Sequence, residues 1–176
     1  MDGYSKIEEW FLTYGSDVHH FLVYYTGQNQ VEDLVQDVFA KAMKGLHRFE
    51  GRSSPKTWLF SIALRVAMDD QRKRKRIGLL GHRLRREQTV SVPTPEEIHF
   101  HREDLQSVYV CLMKLKRTYR DVLLLRVMED FSANETAEIL NWTATRVNVT
   151  LHRAIKKLRI QYESLEGGGK LATGRE

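Results

Sequence analysis

FEGRSSPKTWLFSIALRVAMDDQRKRKR, residues 49–76, holds a small polar loop, a marked helix start, an apolar stripe and a basic end. Ser54 is placed to cap a helix whose first turn holds Pro55, which is tolerated there because that position has no intrahelical N–H bond to lose. Trp58, Leu59, Ile62, Ala63 and Val66 then recur at helical spacing, which predicts one buried face, with Lys56, Arg65 and Arg72 off it or at its edge. Ahead of the cap, Gly51 is open to unusual backbone angles, and Phe49, Arg52 and Ser53 offer an aromatic, a cation and a hydroxyl at close range. Such a set suits an unstacked base held by stacking and edge hydrogen bonds, with nearby cations on its phosphates. The competing reading is a plain connecting loop before a core helix whose basic end is solvated.

Upstream, Ile7, Trp10, Phe11, Tyr14, Val18, Phe21, Leu22 and Tyr25 keep a helical period with an interruption expected at Gly15 and a stop at Gly27. The next segment, VEDLVQDVFAKAMKGL, places Val31, Leu34, Val35, Val38, Phe39, Ala42, Met43 and Leu46 on one face. Its other face shows Glu32, Asp33, Gln36, Asp37 and Lys41, with the first carboxylates where a helix dipole favours them. That acidic face can dock on a basic protein surface or simply be solvated.

Downstream, residues 77–101 lose periodicity around Gly78, Gly81, Pro93 and Pro95 and read as a linker, with a short helical piece around Leu79 to Glu87. A second helical half resumes near Arg102: Leu105, Val108, Tyr109, Leu112 and Leu115 form one stripe, and Tyr119, Val122, Leu123, Leu125, Arg126 and Met128 another. Ser132 with Glu135 makes a capping box, Asn141-Trp142-Thr143 supplies a turn, and a last helix is expected to bury Val147, Leu151, Ala154, Ile155 and Leu158. Around its other side stand Arg146, Asn148, Thr150, Arg153 and Lys156, the layout of a helix-turn-helix DNA reader, with a generic helical hairpin as the alternative. Val149 lies among these polar residues, where an aliphatic group can touch a thymine methyl. The Gly-rich stretch 166–176 reads as a flexible tail.

The chain has 176 residues and a net charge of +5, unevenly placed. Residues 1–64 carry six Lys/Arg against eight Asp/Glu, residues 65–86 nine against two, and the remainder thirteen of each. A local basic strip points to a polyanion more strongly than the average charge does. The single cysteine, Cys111, excludes an intramolecular disulfide and reads as a buried hydrophobe. No apolar run approaches the length that spans a bilayer, and MDGYSKIEEW opens no signal-type stretch, so a cytoplasmic protein without membrane insertion is expected. His99 and His101 lie in a polar stretch without a nearby cysteine, so no metal site is assigned and no cofactor is expected. The absence of a nucleophile–base set or a phosphate-cradling Gly loop argues against an enzyme.

Taken together, EDLVQDVFAKA, then FEGRSSPKTWLFSIALRVAMDDQRKR, then a linker, then ETAEILNWTATRVNVTLHRAIKKL resembles the extracytoplasmic-function (ECF, group 4) sigma factors of bacterial RNA polymerase, within the sigma-70 family, over residues 4–162. The resemblance implies an all-α fold of two small helical domains: a sigma-2 bundle over 1–76, the linker 77–101, and a sigma-4 helix-turn-helix domain over 102–165, before the tail. It implies that Glu32, Asp33, Gln36, Asp37 and Lys41 face the core polymerase. It implies that Arg48, Phe49, Glu50, Gly51, Arg52 and Ser53 form a pocket for a flipped minus-10 base, with Lys56, Trp58, Arg65 and Arg72 on the same DNA. Thr145, Arg146, Asn148, Val149, Thr150, His152, Arg153 and Lys156 would meet the minus-35 element in the major groove. The linker would thread toward the polymerase active-site and RNA-exit channels, and an anti-sigma factor would hold the free form. Many members read G-T-V-K-S-R-L-H-R-A where this chain has Thr145 to Ala154, so the base-reading face departs from the pattern while the Leu-His-Arg-Ala end is kept; Asn141 also replaces a usual Gly. A helix-turn-helix regulator that acts without polymerase is the rival function.

Overall fold

The computed structural model describes residues 3–81 and 102–169, with side chains over 3–78 and 107–165. The rest of the linker, the helical piece expected beyond Gly81, His99, His101 and the end of the tail lie outside the described residues. The chain divides into two compact units.

The first unit is a three-helix bundle of α1 (Gly3–Thr26), α2 (Glu32–Gly45) and α3 (Pro55–Gly81), each packed on the other two. α1 runs unbroken through Gly15, contrary to the interruption expected there. A mid-helix glycine costs about 1 kcal/mol; burial of Trp10, Val18, Phe21, Leu22 and Tyr25 in the same helix outweighs it, at about 1.5–3 kcal/mol for each large side chain. α1 ends where Gly27 takes φ +70° and its N–H donates to the Val23 carbonyl at 2.9 Å.

α2 buries Val35, Val38, Phe39 and Ala42, with Glu32 and Asp33 in its first turn, and runs into a 3-10 turn at Leu46–Arg48. α3 packs on both α1 and α2 and buries a wider arc than one stripe. Phe60, Leu64 and Ala67 join Leu59, Ala63 and Val66 in the core, whereas Trp58 and Ile62 are only half-buried. The Phe21 and Phe60 rings meet at 5.2 Å between centroids. Phe11, expected on the buried stripe, is half exposed, although its ring edge meets Phe39 at 5.0 Å.

The second half of the chain comprises α4 (Arg102–Lys114), α5 (Arg117–Leu123), a π-helical turn (Leu124–Met128), α6 (Ala133–Leu140) and α7 (Ala144–Gly169). α4 and α5 both pack on α7. Tyr109, Cys111, Leu112, Val122 to Leu125, Phe131, Val147 and Ala154 form its core, and the Cys111 thiol is fully enclosed. In the π turn Leu124 and Leu125 face inward while Val127 and Met128 face solvent, which removes Met128 from its expected stripe. The turn closes with Asp130 at φ +55° and the Arg126 guanidinium donating to the Phe131 carbonyl. Ile155, expected in the core, is 43% exposed, because it lies one residue, about 100° of helix, past the buried Ala154.

Candidate functional site

Three surfaces carry the residues singled out above. On α2, Glu32, Asp33, Gln36, Asp37 and Lys41 are all exposed and form one face opposite Val35, Val38 and Ala42. The His19 Nε2 stands 4.0 Å from Glu32 Oε1 at one edge of it.

The second surface is the 49–54 loop with the outer side of α3. Ser54 caps α3 as expected: its Oγ accepts from the Thr57 N–H at 3.0 Å and lies 2.8 Å from Thr57 Oγ1, and its carbonyl accepts from the Trp58 N–H at 3.0 Å. Gly51 sits at φ +71°, a left-handed backbone that L side chains rarely adopt, with open space where a Cβ would stand. The Phe49 ring stands at the loop's start between Trp10 and Trp58, at centroid distances of 5.1 and 5.3 Å. Lys6 Nζ lies 5.2 Å from the Phe49 centroid and 5.3 Å from that of Trp10, and Gly45 leaves room for the Trp58 ring. The loop thus springs from an aromatic cluster while Glu50, Gly51 and Arg52 stay exposed.

Its cations are tethered from within. Lys56 Nζ reaches Asp17 Oδ2 at 2.8 Å, Arg52 reaches Glu50 at 2.9 Å, Arg72 reaches Asp69 at 3.1 Å, and Arg48 Nε donates to His47 Nε2 at 3.3 Å. Arg74 Nε reaches Asp70 at 2.8 Å; the same carboxylate accepts from Gln28 Nε2 at 2.9 Å, and Arg74 also donates to Gln28 Oε1. These pairs join the basic end of α3 to the turn after α1. Arg65 is exposed on α3.

The third surface is α7 with the turn before it. Ser132 and Glu135 form the expected capping box at the start of α6: the Ser132 N–H donates to Glu135 Oε2 at 2.9 Å and the Glu135 N–H to Ser132 Oγ at 3.2 Å. Asn141 takes φ +54°, the left-handed corner, and the Trp142 N–H donates to the Ala137 carbonyl at 2.8 Å. Thr143 caps α7, its Oγ1 accepting from the Arg146 N–H at 3.2 Å. Thr145, Arg146, Asn148, Val149, His152, Arg153 and Lys156 are exposed together on the side away from Val147 and Ala154; Thr150, at the rim of the buried arc, is half-buried. Among the described residues, none of these cations has an ion-pair partner, and the Arg146 guanidinium instead lies 3.9 Å from the Trp142 ring centroid.

Sequence reasoning left out Lys6, Asp17 and Trp142. Asp17 meets Lys56 across helices and Lys6 meets Phe49 of the loop, contacts that no spacing rule reports, whereas Lys6 precedes Trp10, and Trp142 precedes Arg146, by four residues, a pattern legible once the elements are placed. Among the described residues no group of histidines, cysteines and carboxylates is arranged to hold a metal, and no helix is long and apolar enough to cross a membrane.

The family model for sigma-70 region 2 matches residues 10–77, the unit with the α2 face and the loop, and that for sigma-70 region 4 matches residues 105–158, which include the turn and most of α7. The ECF RNA polymerase sigma factor SigX of Bacillus subtilis (strain 168) is 37% identical over 162 residues, covering 87% of this chain and 81% of its own length. The RNA polymerase sigma factor YlaC of the same organism is 32% identical over 159 residues, covering 88% of this chain and 91% of its own. Among solved structures, the sigma factor RpoE in complex with the anti-sigma factor NepR from Bartonella quintana shares the fold at a TM-score of 0.75 and 23% identity, over 97% of this chain and 99% of that one. With both regions matched in order and relatives matched along most of their length, the chain belongs to the ECF sigma factors of RNA polymerase, in the sigma-70 family.

Proposed function

We propose that the protein binds bacterial core RNA polymerase, directs it to promoters bearing particular minus-35 and minus-10 elements, and begins strand opening at the second. The observation that carries this reading is the pairing of a region 2 match and a region 4 match with two separate sets of exposed residues, one at a capped loop and one on a helix after a tight turn.

In this reading the acidic face of α2, Glu32, Asp33, Gln36, Asp37 and Lys41, docks on the polymerase. The exposed part of the loop, with Arg48 to Ser53, takes up a flipped base of the non-template strand. Lys56, Trp58, Arg65 and Arg72 hold the adjoining strand. Unstacking a base costs a few kcal/mol, and stacking on an aromatic returns about 1–3 kcal/mol per base, so opening without ATP needs the phosphate contacts as well. On α7, Asn148 suits adenine through its paired donor and acceptor, Val149 a thymine methyl, and Arg153 and Lys156 the phosphates. Thr145, Arg146, Thr150 and His152 complete the minus-35 face.

The domains fall at 1–76 and 102–165, with 77–101 as a tether along nucleic acid inside the polymerase and 166–176 as a tail. The protein performs no bond chemistry; the polymerase does, and no cofactor is required. It acts in the cytoplasm and is held inactive by an anti-sigma factor, a regulation supported by the RpoE relative, whose structure is a complex with NepR. A regulator acting alone would instead bind duplex DNA without polymerase.

Run-off transcription with purified core enzyme on a promoter library tests the proposal. Promoter-specific transcripts that appear only when this chain is added are the expected result. Tight duplex binding by the chain alone, with no new transcripts, favours the rival.

A further inference from the structure

Trp142 belongs to none of the residue sets assigned above, yet its ring lies against the guanidinium of Arg146, with Cζ 3.9 Å from the ring centroid. Arg146 sits in the first turn of α7, where the positive end of the helix disfavours a cation. Among the described residues no carboxylate pairs with it. The ring is therefore the described group that fixes this side chain.

The backbone that carries the platform is itself held. Trp142 is half-buried, its backbone N–H donates to the Ala137 carbonyl at 2.8 Å, and it stands between the left-handed Asn141 and the Thr143 cap. A guanidinium lying on a ring spends its face there and leaves its N–H donors pointing outward in the plane. That edge suits paired acceptors such as O6 and N7 of guanine in the major groove. Holding it in advance removes part of the ordering loss that a free arginine meets on binding. Residues near the start of a recognition helix are also those that reach base edges.

Resting on the reading that α7 enters the major groove, we propose that Trp142 is a positioning residue that presents the Arg146 guanidinium edge-on to a guanine of the upstream promoter element. A phosphate contact would need only charge, so lysine would replace Arg146 there; a guanine held at two acceptors would not accept the exchange.

The test is run-off transcription with bacterial core polymerase on a promoter library, using the full-length chain and variants matched for helix content by circular dichroism. The wild type is expected to prefer guanine at one upstream position. R146M and R146K lower that preference about tenfold. W142L lowers the same preference about two- to fivefold, W142F restores part of it, and W142L/R146M behaves as R146M alone. The proposal is overturned if W142L shifts a different position or none, if the two losses add in the double variant, if R146K keeps the preference, or if R146M weakens every promoter alike. A wild type that yields no promoter-specific transcript sinks the parent reading and this one with it; a selective wild type with an unchanged W142L profile sinks only the role of Trp142.

Discussion

In the first unit Lys56 is held by Asp17, Arg52 by Glu50, Arg72 by Asp69, and the Phe49 ring by two tryptophans, while on α7 Asn148, Val149, His152, Arg153 and Lys156 project into solvent. Both sets are assigned to DNA, but they would bind it differently. For the loop and α3, meeting a strand means exchanging one partner for another; for α7 it means adding contacts to a face already in place. The pairs to be exchanged are exposed or half-exposed, and such pairs are worth about 0–1 kcal/mol each, so phosphates can compete for them. On the proposed reading, the loop with α3 would act as a switchable grip and α7 as a fixed reader.

The sharpest way to break this contrast is to remove the anchor of the loop. Trp10→Ala, at a residue only 4% exposed and in contact with both Phe49 and Trp58, should cost about 3–5 kcal/mol. Hydrogen exchange should show lost protection in α1 to α3 with α4 to α7 unchanged; loss in both would mean the units are not independent. Next in size, Asp33→Lys with Asp37→Lys should lower core-polymerase affinity by tenfold or more, because like charges set opposite each other cost on the order of several kcal/mol. Helical circular dichroism should stay as in the wild type, and unchanged core affinity would mean that this face is merely solvated.

On the reader side, Asn148→Ala should cut discrimination at one base pair by about 1–3 kcal/mol, read as a change in the selected promoter consensus. Ser54→Ala should destabilise the first unit by about 1 kcal/mol through loss of the cap, measurable by urea unfolding. The smallest effect is the most direct check on exchange. Asp17→Asn removes one partner of Lys56 and should change stability by less than about 1 kcal/mol, yet raise affinity for single-stranded minus-10 DNA; an unchanged affinity would show that this pair does not compete with phosphate.

Much of this was legible in the sequence wherever the signal was local. The Ser54 cap, the Ser132–Glu135 box, the left-handed Asn141 and the exposed α2 face each depend on residues within a turn or two of one another. What escaped depends on neighbours distant in the chain. The extra burial of Phe60, Leu64 and Ala67 follows from α3 being enclosed by two helices, and the unbroken course of α1 through Gly15 from the packing on either side of it. The π turn at Leu124–Met128 adds a residue to one helical turn and so defeats a fixed 3.6-residue period, which is why Met128 leaves the stripe that its spacing predicts. Ile155 failed for a simpler reason: an apolar residue next to a buried stripe reads as part of it until the helix's true partners are known.

The full enclosure of Cys111 has a practical consequence. A chain whose native thiol is shielded from solvent can be labelled selectively without first being stripped of cysteine. A maleimide fluorophore attached through Glu9→Cys would report from the first unit, and one attached through Lys157→Cys from α7, both at exposed positions outside the assigned DNA contacts. Arrival at the two promoter elements could then be timed separately, and the order of the two events observed during a single initiation.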